Sequence, residues 1–166
     1  MSVTIKKVNS DTELKAVAEL AGIIWHECFT DIISEGQIDY MVEKFQSYKA
    51  MTKQIIEQDY SYFAVREDEE LCGYIGVKPE KDDRFFLSKL YLRSDRRGRG
   101  IASQMLKKVF EEAKSYGKER VYLTVNKHNE HAISVYLRTG FEIADKVVTD
   151  IGNGYVMDDY IMEYTI

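Results

Sequence analysis

The sequence predicts a mixed α/β fold: one sheet of about seven strands, with about four helices packed on both of its faces. Three observations predict it. Strand and helix periodicities alternate in the second half of the chain, which calls for a parallel component there. Strand-like runs follow one another directly between residues 60 and 93, and Gly152-Asn153-Gly154 joins the last two, so hairpins supply antiparallel parts. The chain has 166 residues, 45% of them hydrophobic and 31% charged, with one proline. That suits one domain over 1–166 with a sizeable core, and neither linker nor repeat interrupts it.

Residues 2–8, SVTIKKV, alternate and read as the first strand. Ser10 followed by Glu13 is a capping box. Leu14, Val17, Ala18, Ala21, Ile24, Trp25 and Cys28 then recur at helical spacing, carrying a helix to about residue 29. A second helical region covers roughly 35–58, with Ile38, Met41, Val42 and Phe45 on one face. YSYFAVRED (60–68) and ELCGYIGVKP (70–79) are strands joined by a tight polar turn, and RFFLSKLYLR (84–93) is a third. The run RGRG opens a helix that lasts to about Tyr116, where Gly117 stops it. RVYLTVN (120–126) is a strand, NEHAISVYLRT (129–139) a short helix ended by Gly140, and FEIADKVVTD and GYVMDDYIMEYTI are the closing hairpin.

A net charge of -5 opposes binding to nucleic acid and to anionic membranes, and suits a cationic partner. The N-terminus lacks the apolar stretch of a signal peptide, no run could span a bilayer, and two cysteines are too few for a disulfide framework. The expectation is a cytoplasmic protein. His26-Glu27 begins H-E-x-x-H, but Thr30 stands where the second ligand belongs. His128-Asn129-Glu130 gives H-x-E without a following P-C-x-x-C, so no metal is expected. Asp158 and Asp159 break the alternation of the closing strand, and no role is assigned to them.

Against this acidic background, Arg96-Arg97-Gly98-Arg99-Gly100 stands at a helix N-terminus. Free backbone N–H groups, the positive end of the helix dipole, glycines that admit close approach and arginine forks are the parts of a phosphate site. The plain alternative is a solvated loop. A P-loop is absent, and Gly98, Gly100 and Ser103 fall one glycine short of a dinucleotide fingerprint.

At these residues the chain resembles the GNAT superfamily of N-acetyltransferases. Arg97-Gly98-Arg99-Gly100-Ile101-Ala102 matches R/Q-x-x-G-x-G/A, the acetyl-coenzyme A signature of that family, between a strand and a helix. Asn129, Ala132, Tyr136, Gly140 and Phe141 match a second motif, N-x-x-A-x-x-x-Y-x-x-x-G-F. The resemblance extends over nearly the whole chain. It implies a GNAT-like sheet and acetyl transfer from acetyl-CoA to a primary amine by direct attack. The backbone of Leu90, Tyr91 and Leu92 would hold the pantetheine arm, residues 97–102 the pyrophosphate, with Ser103 and Asn129 as further contacts. The Leu90 N–H would stabilise the developing oxyanion, and Tyr136 would act as the acid toward the departing thiolate.

The amine must be neutral to attack. A lysine-like amine is neutral in only about 1 part in 2,500 at pH 7, a penalty of roughly 4.6 kcal/mol, whereas an α-amine costs only about 1 kcal/mol. Many relatives carry a glutamate on the strand before the loop, where this chain has Ser88; a serine there would orient a water as relay. Glu27 and Asp31, four apart, would share a face of a continuing helix and suit an ammonium, unless they form an ordinary solvated edge. Phe29 and Ile33 would add apolar contacts or belong to the core. The acceptor is a small-molecule or peptide amine: the acidic charge and the chain's ending point to a polyamine, and Ser88 to a less basic amine. A non-catalytic CoA-binding module is the alternative of a different class, and a homodimer is implied by the resemblance alone.

Overall fold

The computed structural model describes residues 2–166. Strand β1 (Val3–Lys7) leads into helix α1 (Asp11–Phe29), whose N-cap Ser10 accepts from the Glu13 N–H, as the capping box requires. Then come α2 (Glu35–Met41) and α3 (Tyr48–Glu57), the antiparallel strands β2 (Ser61–Glu67), β3 (Glu70–Pro79) and β4 (Arg84–Leu92), helix α4 (Ile101–Ser115) and strand β5 (Arg120–Asn126). Helix α5 (Glu130–Thr139) and the hairpin β6 (Glu142–Gly152) and β7 (Tyr155–Thr165) complete the order. All seven strands join one sheet, β1-β2-β3-β4-β5-β7-β6.

The second helical region departs from a continuous helix. It passes through a π-helical turn, Val42–Gln46, and breaks at Ser47, which is extended (φ -75°, ψ 160°) and caps α3 through the Ala50 N–H. Serine favours a cap because its hydroxyl competes for nearby backbone groups. A periodicity count cannot see that competition.

The largest hydrophobic cluster lies under α4 and α5 on one face, and includes Phe63, Phe85, Leu106, Val109, Val121 and Phe141. On the other face, α1 and α3 pack Leu14, Ile24 and Met51 onto Tyr62 and Tyr74. Burial of each such side chain is worth about 1.5–3 kcal/mol. A third cluster joins Trp25 and Phe29 of α1, Ile38 and Met41 of α2, and Ile151 at the tip of the β6–β7 hairpin. Among the described residues no helix is long and apolar enough to cross a membrane.

Two irregularities place the site. The register between β3 and β4 pairs Gly76 with Lys89 and Val77 with Leu87, leaving Ser88 as an extra, bulged residue. The bulge reverses the inward parity of β4. Phe85 and Leu87 before it, and Leu90 and Leu92 after it, face the α4 side, whereas Lys89 and Tyr91 face α1–α3. Secondly, β4 and β5 run parallel over only three pairs, Arg84 to Phe86 against Arg120 to Tyr122, and then separate.

Candidate active site

Beyond Phe86 and Tyr122, the gap between β4 and β5 is a hole in the sheet. It opens into a cavity of about 600 Å³ that reaches both faces, lined by Leu87–Leu92 of β4 and Leu123–Asn126 of β5. On one side the cavity meets Arg97, Ala102, Asn129 and Tyr136, from the loop, α4 and α5. On the other it meets Trp25, Phe29, Met41, Phe45, Tyr60 and Met157.

The arginine-rich loop divides its charges. Arg96 and Arg99 both bind Glu67, at 3.2 Å and 2.8 Å, a carboxylate only 7% exposed, and Arg96 also holds Glu70 at 2.7 Å. Arg97 alone of the three lines the cavity, where its guanidinium reaches the Cys28 thiol at 3.1 Å. Gly98 and Gly100 both have φ of 78°, a left-handed conformation in which other residues are strained, and an added Cβ would meet nothing within 4 Å at either. The first helical bond of α4 runs from the Gln104 N–H to the Gly100 carbonyl, so the N–H groups of Ile101, Ala102 and Ser103 stay free. Open space, free N–H groups and one arginine with no carboxylate partner among the described residues fit a phosphate group.

Backbone direction supplies a second set of donors. The Arg93 N–H donates to the Cys72 carbonyl of β3. Because N–H direction alternates along a strand, Leu90 and Leu92 turn theirs away from β3, into the gap where no strand is paired. Across the gap stands Tyr136, 7% exposed and packed edge-on against Phe141. Burial alone raises its pKa above the ordinary phenol value, so it stays protonated at neutral pH. The Tyr91 phenol is raised as well, first by burial and then by the nearby Tyr136, Cys28 and Asp159.

Two polar groups complete the α1–α2 side. The Ser88 hydroxyl lies 2.8 Å from that of Tyr60, whose pKa is raised chiefly by burial. Asp159 of β7 is 4% exposed and lines the cavity. Burial, followed by the nearby Asp158, raises its pKa to about 6.

The sequence profile of the acetyltransferase (GNAT) family matches residues 23–141, which is most of the chain. The chain belongs to the GNAT acetyltransferase family. An uncharacterised N-acetyltransferase of Mycobacterium tuberculosis is 35% identical over 97 residues, 58% of this chain and 62% of that protein. A probable spermine N(1)-acetyltransferase of Bacillus subtilis subsp. natto is 29% identical over 156 residues, 86% of this chain and 89% of that one. The crystal structure of the PaiA N-acetyltransferase of Thermoplasma acidophilum, in complex with coenzyme A, superposes with a TM-score of 0.84 at 25% identity and full coverage of both chains. An acetyl-CoA-bound GNAT acetyltransferase from Elizabethkingia anophelis shares the fold at a TM-score of 0.66.

Of the residues expected from the GNAT resemblance, the structure brings Ser88, Leu90, Tyr91, Leu92, Arg97, Ala102, Asn129 and Tyr136 to one cavity. Ile101 is buried in the core, which leaves only its N–H for a ligand, and Ser103 opens onto a separate shallow depression beside Phe110 and Arg138. Asn129 caps α5 through the Ala132 N–H at 3.3 Å. The Glu27–Asp31 pair does not form. Helix α1 stops at Phe29, and Glu27 instead binds the backbone and hydroxyl of Ser94 at 3.2 Å and 2.9 Å, tying α1 to the loop. Asp31 and Phe29 do line the cavity. The residues that sequence reasoning left without a role are Asp159 and Lys89. A charge at an inward position of a strand is the signal each one gave.

Proposed function

We propose that this protein transfers the acetyl group of acetyl-CoA to a primary amine. The observation that carries the reading is the cavity through the sheet. It joins a phosphate-competent helix N-terminus to a protonated tyrosine on one face and to an aromatic-lined opening on the other. The pyrophosphate would rest on the N–H groups of α4 and on Arg97, and the pantetheine arm would run along Leu90–Leu92 as an added strand-like partner. The thioester oxygen would take the free Leu90 N–H, which stabilises negative charge without reorganisation. The amine enters from the α1–α2 side and attacks directly. Its C–N bond forms as the C–S bond breaks, and the Tyr136 hydroxyl donates to the departing sulfur.

A polyamine is the acceptor class favoured by resemblance, because the relative aligned over 86% of this chain is named a probable spermine N(1)-acetyltransferase. The net charge of -5 is in keeping with a polycation. Thermal unfolding with acetyl-CoA, NAD or ATP, followed by release of free CoA thiol with spermidine, tests the reading. At about 100 times its dissociation constant a ligand adds roughly 2.7 kcal/mol, a shift of roughly 5–10 °C for a chain of this size. The expected result is a shift with acetyl-CoA alone and thiol release on adding the amine. A shift with acetyl-CoA but no thiol release with any primary amine would mean a CoA-binding module instead.

A further inference from the structure

The missing glutamate at Ser88 leaves the ammonium of the acceptor without a partner on β4. The structure offers one on β7. Asp159 stands opposite Asn126 of β5 and Val147 of β6, on the same face of the sheet as Met157, and its side chain lines the cavity on the side where the amine enters. It is 4% exposed, yet among the described residues it takes part in no ion pair. The adjacent Asp158, by contrast, is paired with Lys127 at 2.8 Å. From β4 the Tyr91 phenol is close enough to feel the Asp159 carboxylate, as it feels Tyr136 and Cys28. A carboxylate largely withdrawn from bulk water, with no cation or donor of the protein on it, is costly, and folds keep such groups rarely.

We infer that Asp159 receives the ammonium of the acceptor and takes its proton, so that the neutral amine attacks the thioester. This rests on the acetyltransferase reading above. The balance is complete. Of the three ammonium protons one goes to the Asp159 carboxylate, one remains on the amide nitrogen, and one replaces the proton that Tyr136 gives to sulfur. The proton on Asp159 then leaves to solvent, so each turnover releases one. A carboxyl that titrates near 6 is ionised at neutral pH and close enough to it to accept and return a proton.

Asp159→Asn tests this in two ways. Without substrate, the variant is expected to melt above wild type at pH 8 and level with it at pH 4, because only the ionised carboxylate is penalised by burial. A variant that melts lower than wild type at pH 8 would show that the fold holds the carboxylate, and would overturn the proposal. With acetyl-CoA and either spermidine or a tetrapeptide bearing a free α-amine, kcat/KM is expected to fall by about 100-fold or more. The acidic limb of the wild-type pH profile, centred near 6, should vanish, and acetyl-CoA affinity should stay unchanged. Turnover within threefold of wild type, or an acidic limb that persists in the variant, would overturn it, as would a wild type that binds acetyl-CoA and acetylates neither amine. A wild type that does not bind acetyl-CoA fails at the earlier step, and overturns the acetyltransferase reading itself.

Discussion

Lys89 and Asp159 are equally buried, each 4% exposed, and each shifts toward its neutral form, yet their surroundings differ in kind. The Lys89 amine is ringed by oxygen: the Phe45 carbonyl, Gln54 Oε1 at 2.9 Å and the Tyr62 hydroxyl at 2.5 Å. Those three partners match the three donors of an ammonium. The Tyr62 hydroxyl gives its own proton to Gln54 Oε1, so toward Lys89 it can only accept. Asp159 has no such ring, and its oxygens face a cavity. A buried polar group that is fully answered belongs to the fold, whereas one left unanswered costs stability and needs a functional reason to persist.

The largest effect tests the first half of that contrast. The π-helical turn frees the Phe45 carbonyl, which Gln54 Nε2 and Lys89 both satisfy, so Lys89 fastens the break between α2 and α3 to the sheet. Gly76 makes room for it, since a Cβ there would meet the Lys89 stem at 3.3 Å and Tyr62 at 3.1 Å. Lys89→Ala removes the buried stem and takes one bond from each of three polar partners, which keep only the bonds they make among themselves. It is expected to cost about 3 kcal/mol, a fall in Tm on the order of 10 °C. Differential scanning calorimetry reads it directly, and a loss of only a degree or two would mean that water replaces the amine.

On the other face stands Tyr136, the acid of the proposed reaction. Tyr136→Phe keeps the ring against Phe141 and removes only the hydroxyl. Turnover is expected to fall about 100-fold, equivalent to about 2.7 kcal/mol of transition-state stabilisation, with Tm nearly unchanged. If stopped-flow thiol release shows unchanged turnover, the proton reaches sulfur by another route. An equal fall in Tm would mark the hydroxyl as structural.

The contrast also explains what the sequence could disclose. The strands, the helices and the loop were legible because each obeys a local period, a cap or a turn composition: Ser10 with Glu13, Gly117 and Gly140 at helix ends, polar residues at the Asp68-Glu69 turn. That Tyr136 and Leu90 line the cavity was legible from the second motif and from the strand that precedes the loop. The three arginines looked alike because nothing local says that Glu67, some thirty residues earlier, claims two of them. Lys89 and Asp159 were hidden for a related reason. The parity of LSKLYL reverses at a bulge that only the pairing with β3 creates, and the value of a buried charge depends on partners from distant segments. The break at Ser47 was missed because a helical period continues across it.

Asp159→Asn carries the comparison to stability. The carboxyl's folded pKa of about 6 lies above its unfolded value, so the folded state binds more protons between pH 4 and 6. Stability therefore falls as pH rises through that window, and above it the ionised carboxylate is a standing penalty. At face value the shift is worth roughly 3 kcal/mol. Because asparagine is itself polar and needs partners, the expected gain above pH 7 is about 2 kcal/mol, or roughly 5 °C in Tm, disappearing near pH 4. Lys89 acts in the opposite window. Its pKa is depressed, so its contribution grows as pH rises toward the ordinary lysine value. Melting curves from pH 4 to 10 separate the two.

The smallest effect divides the loop by the same logic of claimed and unclaimed groups. Arg97 has only the Cys28 thiol as a partner and faces the cavity, whereas Arg99 is held by Glu67. Arg97→Ala is expected to weaken acetyl-CoA by about tenfold, or about 1.4 kcal/mol, and to flatten the salt dependence of its binding. Arg99→Ala should leave affinity within about twofold and lower Tm slightly, because Glu67 keeps Arg96 as a partner. Calorimetric titration of both variants at two salt concentrations decides it. If Arg99→Ala proves the more damaging to binding, acetyl-CoA must draw Arg99 away from Glu67, and the loop would then be a switch whose resting state is the Glu67 pair.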